Sequence, residues 1–262
     1  MSDKNFMALT VVIVVAVVGS IIILGSSEGG GNFVGDPLQV ATGEVNEDGE
    51  SQRADHVFGS DDARVTLIEY GDLECPACAA FFPELKALEN AYPDDLRVVF
   101  RHNPLTQLHP NAFAAHRAAV AAANQGKFWE MHDLMYERQP SWSVAQAGLD
   151  ISAASEVFEG YAQALGLDME QFKTDVASQE TFDFIDSHLD SGQQLGVTGT
   201  PTIFINGEEV TERSFEELSA LIDSILAGEP AATEQSADDQ QPASSDETGD
   251  AVELTTSPAE EN

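Results

Sequence analysis

The sequence predicts an α/β domain in which a buried strand runs directly into a helix, a long helical block interrupts the sheet, and a hairpin with a last helix completes it. Three observations carry this. Val65 to Tyr70 is apolar on both alternating faces except at Thr66 and Glu69, the pattern of a central strand covered on both sides. From about Pro110 to Leu195 the periodicity is helical throughout. Asn206-Gly207 then separates two short strand-like runs, which is the signature of a two-residue hairpin turn.

Taken in chain order, the first element is Phe6 to Leu24, apolar except for Thr10, Ser20 and one glycine. At about 1.5 Å per residue it reaches roughly the ~30 Å hydrocarbon thickness of a bilayer. Residues 1–25 therefore read as a transmembrane anchor or signal. The run exceeds the about 7–15 residues of a usual signal core, which favours an uncleaved helix. No cysteine follows it, so lipoprotein anchoring is excluded. Lys4 before the span and Glu28 after it place the N-terminus inside and the rest of the chain outside. Residues 26–58, rich in Gly, Ser, Asp and Glu, read as a flexible acidic linker, and residues 229–262 as a disordered acidic tail.

Residues 59–228 form the globular part, with the helical insertion at about 105–195. Pro76 to Ala91 follows the first strand as a helix with Phe81, Leu85 and Leu88 on one stripe. Leu96 to Phe100 is the second strand. Pro110 reads as a first-turn proline, and Asp168 with Gln171 as a capping box. Thr202 to Ile205 and Glu208 to Thr211 flank the hairpin turn. Ser214 with Glu217 opens a last helix carrying Leu218, Leu221, Ile222 and Ile225, and Gly228 closes it.

The charge balance is extreme: 46 acidic residues face 11 basic ones, a net charge of −35. That argues against nucleic acid or anionic headgroups as partners. Residues 63–228 alone hold 26 acids against nine bases, so the flanking segments account for only about half of the excess. The remainder reads as the surface of a salt-adapted, halophilic protein. Two cysteines are too few for a disulfide scaffold, and Cys75 and Cys78 lie too close to staple a useful loop.

Cys75-Pro76-Ala77-Cys78 lies between a strand and a helix. A cysteine there faces unpaired N–H groups and the positive end of the helix dipole, both of which favour thiolate. Proline at the first helical position loses no hydrogen bond. Cys75 reads as the exposed attacking sulfur and Cys78, one turn in, as the shielded resolving one. The alternative is half of a zinc site completed by His102 and His109, although no second cysteine pair exists. Glu69, an acid in a strand apolar on both faces, reads as buried, with a raised pKa that suits proton exchange with Cys78; the alternative is an edge position touching water. His102, His109, His116 and His132 read as structural. Phe128, Trp129, Met131 and Met135 read as core. Phe81 and Phe82 either line an apolar rim or pack the first helix.

Several separated motifs resemble one family. Glu69-Tyr-Gly-Asp-Leu-Glu-Cys75-Pro-Ala-Cys78, Arg101-His-Asn-Pro-Leu, His109-Pro-Asn-Ala, Gly126-Lys-Phe-Trp-Glu-Met-His132 and Gly196-Val-Thr-Gly-Thr-Pro-Thr-Ile-Phe-Ile-Asn-Gly207 together resemble the DsbA-like thioredoxin family, in its membrane-anchored, BdbD-like branch. The resemblance covers about residues 57–228. It implies a thioredoxin fold with a helical insertion, catalytic roles for Cys75, Cys78, Pro201 and Glu69, a cis peptide before Pro201, and substrate contacts at Thr200, Pro76 and Ala77. It implies an extracytoplasmic enzyme that introduces disulfides into unfolded or reduced exported proteins. A membrane quinone-linked thiol oxidase would reoxidise it, and no metal or organic cofactor is required. A reductase or isomerase of the same fold, or a non-catalytic metal- or protein-binding module, are the alternatives. One departure stands out. The most oxidising relatives have histidine just before the second cysteine, and here that position is Ala77.

Overall fold

The computed structural model describes residues 36–43 and 53–228. The chain runs β1 (His56–Phe58), β2 (Val65–Gly71), α1 (Pro76–Ala91), β3 (Leu96–His102), α2 (Ala112–Ala123), α3 (Phe128–Glu137), a 3-10 turn (Gln139–Ser141), α4 (Val144–Ala147), α5 (Ile151–Ala164), α6 (Met169–Ala177), α7 (Gln179–Gln194), β4 (Thr202–Ile205), β5 (Glu208–Val210) and α8 (Phe215–Ala227). The five strands lie in the order β1-β3-β2-β4-β5. β2 and β3 are parallel and joined through α1; the other neighbours are antiparallel.

The double-faced apolarity of β2 has a direct cause. On one face Val65 and Leu67 pack with Phe81, Leu85 and Leu88 of α1 and Leu218 and Ile222 of α8. On the other, Ile68 and Tyr70 pack with Val99 and Phe204. Covering that second face are Leu38, Val40 and Val57. At about 25 cal/mol per Å², such burial is what orders short segments that have no regular pattern of their own. Here the sequence-based boundary needs correction. Residues 36–43 and 53–58 read as flexible linker from composition, yet they cap the sheet. Arg101, wholly buried, donates to the Asp55 carboxylate and to the carbonyls of Pro37 and Gln39. β1 is only three residues long and forms by pairing with β3, which no local pattern announces.

The helical block packs as its own layer. The alanine-rich face of α2 (Ala115, Ala118, Ala119, Ala122) allows Phe158 of α5 and Phe172 of α6 to approach closely. Phe128, Met131 and Met135 are buried there, as core residues should be. Pro110 lies outside α2, whose N-cap is Asn111, so it ends the preceding loop rather than opening the helix. Asp168 caps α6 by accepting from the N–H groups of Glu170 and Gln171, but the Gln171 side chain turns to Asp175 instead of completing a box. Ser214 caps α8, and Gly228 ends it with φ +78°, a left-handed value suited to glycine. Asn206 and Gly207 both have positive φ, as the hairpin turn demands.

The expected membrane anchor at residues 6–24 and the acidic tail at 229–262 lie outside the described residues. Among the described residues, no helix is long and apolar enough to cross a membrane.

Candidate active site

The site forms where β2 ends and α1 begins. Gly71 closes the strand beneath the Phe100 ring. A Cβ there would collide with that ring and come within 3.0 Å of Glu69 Oε1. Residues 72–75 then turn, with the Cys75 N–H bonded to the Asp72 carbonyl at 3.0 Å. Cys75 is the N-cap of α1 with extended backbone angles, and Pro76 occupies the first turn. Pro76 and Ala77 are exposed.

Neither cysteine is bonded to another. Cys75 is 6 % exposed and Cys78 0 %. The expectation of an openly exposed Cys75 therefore needs adjusting: the Thr200–Pro201 loop lies over it, and its thiol donates to the Thr200 carbonyl at 3.4 Å. The two sulfurs differ sharply in acidity. Hydrogen bonding from the Cys78 thiol is the largest influence on Cys75. With help from the Thr200 side chain and the N–H groups of Cys78 and Ala77, it overcomes burial and lowers the Cys75 pKa from 9.0 to about 5. Burial pushes Cys78 well above the ordinary thiol value, and the hydrogen bond to Cys75 and the nearby Glu69 charge push the same way.

The Thr200–Pro201 peptide is cis. It precedes β4, which pairs with β2 and so brings residue 200 to Cys75. Arg213 holds this corner, donating to the carbonyls of Val210 and Glu212 at 2.7 Å each and of Pro201 at 3.1 Å.

Glu69 is not at an edge. It sits opposite Phe100 on one side and Ile203 on the other, and is 2 % exposed. Its Oε1 has no hydrogen-bond partner. Burial raises its pKa from 4.5 to about 8, against the opposing pull of Arg213. At neutral pH it is predominantly the protonated acid, next to a thiol whose pKa responds to its charge.

Sequence reasoning missed the residues that fix the 72–75 turn. Asp72 Oδ1 accepts from Glu74 N–H at 2.8 Å. Its Oδ2 accepts from Leu105 N–H at 2.9 Å and from His109 Nδ1 at 2.6 Å. Glu74 accepts from Asn111 N–H at 2.6 Å and Val144 N–H at 2.7 Å. Gln139 donates to the carbonyls of Leu73 and Cys75, and Tyr136 to that of Asp72. The available signal was two acids, Asp72 and Glu74, just before Cys75 in a turn closing a buried strand. Such acids must find donors, and in a chain with 11 basic residues most donors are backbone N–H groups.

His102 and His109 do not face the cysteines together. His102 bonds His56 and His116, and His109 bonds Asp72. Among the described residues, no group of three or more His, Cys, Asp or Glu is arranged to hold a metal ion. Phe81 is core, 3 % exposed, whereas Phe82 is only partly buried and packs on Tyr136 and His132.

Comparison with known proteins agrees with this geometry. A thioredoxin family model matches residues 51–224. A thioredoxin-like oxidoreductase of Silicibacter pomeroyi is 28 % identical with a TM-score of 0.54, covering 66 % of this chain and 92 % of the other. DsbA2 of Pseudomonas aeruginosa is 25 % identical with a TM-score of 0.53, covering 68 % and 98 % respectively. Among curated relatives, the Na(+)/H(+) antiporter NhaA 1 of Salinispora arenicola is 39 % identical over 175 residues, 66 % of this chain and 25 % of that protein. The chain thus spans about a quarter of the length of the curated relatives it matches. With the family model spanning most of the described residues, and the cis peptide facing a cysteine pair at a helix start, the chain belongs to the thioredoxin family and has the DsbA-like form of its fold.

Proposed function

We propose that this domain, a thiol–disulfide oxidoreductase, acts as an oxidant outside the cytoplasm, held at the membrane by residues 6–24 and passing its disulfide to reduced exported proteins. The observation that carries the reading is the inequality of the two sulfurs: Cys75 favours thiolate and Cys78 favours thiol.

Chemistry follows from that inequality. A substrate thiolate attacks Cys75 Sγ of the oxidised pair, and the Cys75–Cys78 bond breaks. Cys78 leaves with the electron pair and takes the proton of Glu69, which burial keeps protonated at neutral pH. A second substrate thiolate attacks the substrate sulfur of the mixed disulfide. Cys75 leaves as a thiolate, stabilised by the helix start. The substrate loses two electrons, and the pair gains them. Thr200 and Pro201, beside the reacting sulfur, are where the substrate backbone would dock, with Pro76 and Ala77 forming the exposed rim. A membrane quinone-linked thiol oxidase is the proposed acceptor of the electrons. The antiporter relatives bear on none of these steps, since ion transport is named for proteins of which this domain spans about a quarter.

Ala77 favours one rival, a reductase or isomerase, because it supplies no charge to the thiolate. The deciding experiment equilibrates the full-length protein against a glutathione series and follows oxidation of a reduced, unfolded substrate. The expected potential lies between about −270 mV and about −120 mV, the values typical of thioredoxin and of a strong oxidant. A potential at or below the lower value would make the reductase reading correct. Absence of turnover would leave a binding module.

A further inference from the structure

The position before Cys78 carries no charge, yet a charge reaches this turn from another part of the chain. Five of the six histidines are buried; His109 alone is partly open to solvent. It lies in the loop between β3 and α2, 34 residues after Cys75 in sequence. That loop is laced along the active-site turn at two points. Asp72 Oδ2 takes the N–H of Leu105 and His109 Nδ1. Glu74 takes the N–H of Asn111. Residues 105–111 are thereby fixed against residues 72–75, and the Asp72 carbonyl in turn takes the Cys75 N–H. Among the described residues, the ion pairs that reach this turn come from His109 and His116, not from lysine or arginine. His116 is buried, and its Nε2 accepts the Leu73 N–H at 3.1 Å, so that nitrogen carries no proton.

We propose that His109, oriented by Asp72, is the cation that stabilises the Cys75 thiolate of the reduced enzyme, a positioning residue supplied by the helical insertion where Ala77 supplies none. The inference rests on the reading of Cys75 as the thiolate-forming sulfur. Asp72 binds Nδ1, which leaves Nε2 as the nitrogen where the ring gains or loses its charge. The charged groups that act on the ring are Asp72, which it touches, and Cys75 and Glu74 nearby in the turn. The Asp72 hydrogen bond is the largest influence; the three charges all raise its pKa, and burial opposes them. The influence of Cys75 on His109 is reciprocal: a thiolate that favours the imidazolium is favoured by it. The Asp72 carboxylate is itself occupied by two N–H donors besides His109.

Two variants separate charge from shape. His109→Gln can still donate to Asp72 but has no charge, while His109→Lys keeps a charge without the imidazole. Cys75 alkylation is followed across the acid range in the full-length reduced protein, read on the Cys75 peptide, with the glutathione equilibrium measured alongside. His109→Gln is expected to slow alkylation about three- to tenfold near pH 6, converging with wild type at alkaline pH, where the thiolate forms regardless. The same factor in the glutathione equilibrium lowers the potential by about 15–30 mV. His109→Lys should stay close to wild type. Superimposed wild-type and His109→Gln profiles would overturn the proposal while leaving the oxidoreductase reading intact. Equal losses in the Gln and Lys variants would show a purely structural role and overturn it too. If wild-type Cys75 reacts no faster than Cys78, the underlying assignment fails, and the proposal with it.

Discussion

Glu69 and Asp72 lie three residues apart, one inside β2 and one just past its end, and both are almost wholly buried. Their charge states are opposite. Glu69 holds its proton up to about pH 8, and its Oε1 has no partner. Burial would raise Asp72 as well. The hydrogen bond from His109 first, then the neighbouring His116 ring and the Leu105 N–H, outweigh it and hold Asp72 below the ordinary carboxylate range. Burial alone therefore does not decide whether an acid is charged here; the donors that reach it do. The pair divides the work of the site. The ionised acid fixes the geometry of the turn, and the neutral acid is the one proposed to exchange a proton with Cys78.

The largest effect expected from breaking this contrast is at Asp72. In Asp72→Asn, an NH2 group must face at least one of the N–H donors now bound to carboxylate oxygen. Leaving buried donors unpaired should cost about 3 kcal/mol or more of stability. The sign with pH follows from the lowered folded pKa. The Asp72 contribution is present above the unfolded value, near 3.8, and is lost as pH falls below it. Urea unfolding at neutral and acid pH checks both: the variant should be weakened most at neutral pH and approach wild type in acid. A loss under about 1 kcal/mol at neutral pH would mean that Asp72 does not hold the turn.

Glu69→Gln should act in the opposite sense. The folded pKa of Glu69, about 8, lies above its ordinary 4.5. Between these values the unfolded chain releases a proton that the folded protein keeps, so wild-type stability falls as pH rises through this window and levels off above it. Glutamine removes that slope. The variant should match wild type near pH 4.5 and exceed it by up to a few kcal/mol near pH 8. Reduction of its disulfide by a small thiol should also slow, since the proposed proton source of Cys78 is removed. Parallel stability profiles for the two proteins would show that Glu69 is ionised when folded.

How far this division was legible differs between the two acids for a physical reason. Glu69 interrupts an apolar run, so its burial shows in a local pattern of period two, and the pairing of β2 on both sides bears that out. Cys75, Cys78 and the hairpin turn are visible in the same way, through short-range chemistry. Asp72 carries no such mark, because two of its three hydrogen-bond donors come from residues 105 and 109, beyond β3. The sheet cap at 36–43 escapes notice for a related reason. Pro37 and Gln39 are held through their carbonyls by Arg101, and carbonyls leave no trace in sequence. Leu38 and Val40 are too few to look like an element, yet they cover the face of β2 that makes it look central. Arg101 stands out in sequence only as part of a motif, although a wholly buried arginine in an acidic chain requires a carboxylate, and Asp55 provides it.

The smallest effect, and the one that sharpens the comparison, is at Ala77. Histidine there would add a cation on α1 beside the same sulfur that His109 is proposed to serve from the insertion. An added interaction of about 1.4 kcal/mol with the thiolate would raise the potential by roughly 30 mV for a two-electron couple. Two cations on one anion repel each other, so the second gains less than the first. Ala77→His should therefore raise the potential more in a His109→Gln background than in wild type, and the double variant should return close to the wild-type value. The measurement is the glutathione equilibrium of all four proteins, treated as a double-mutant cycle. Strictly additive shifts would mean that residues 77 and 109 act on Cys75 independently. No shift from Ala77→His in either background would mean that the helix start and the Cys78 thiol already saturate the stabilisation of the thiolate, and that the charge at position 77 does not set the potential of this protein.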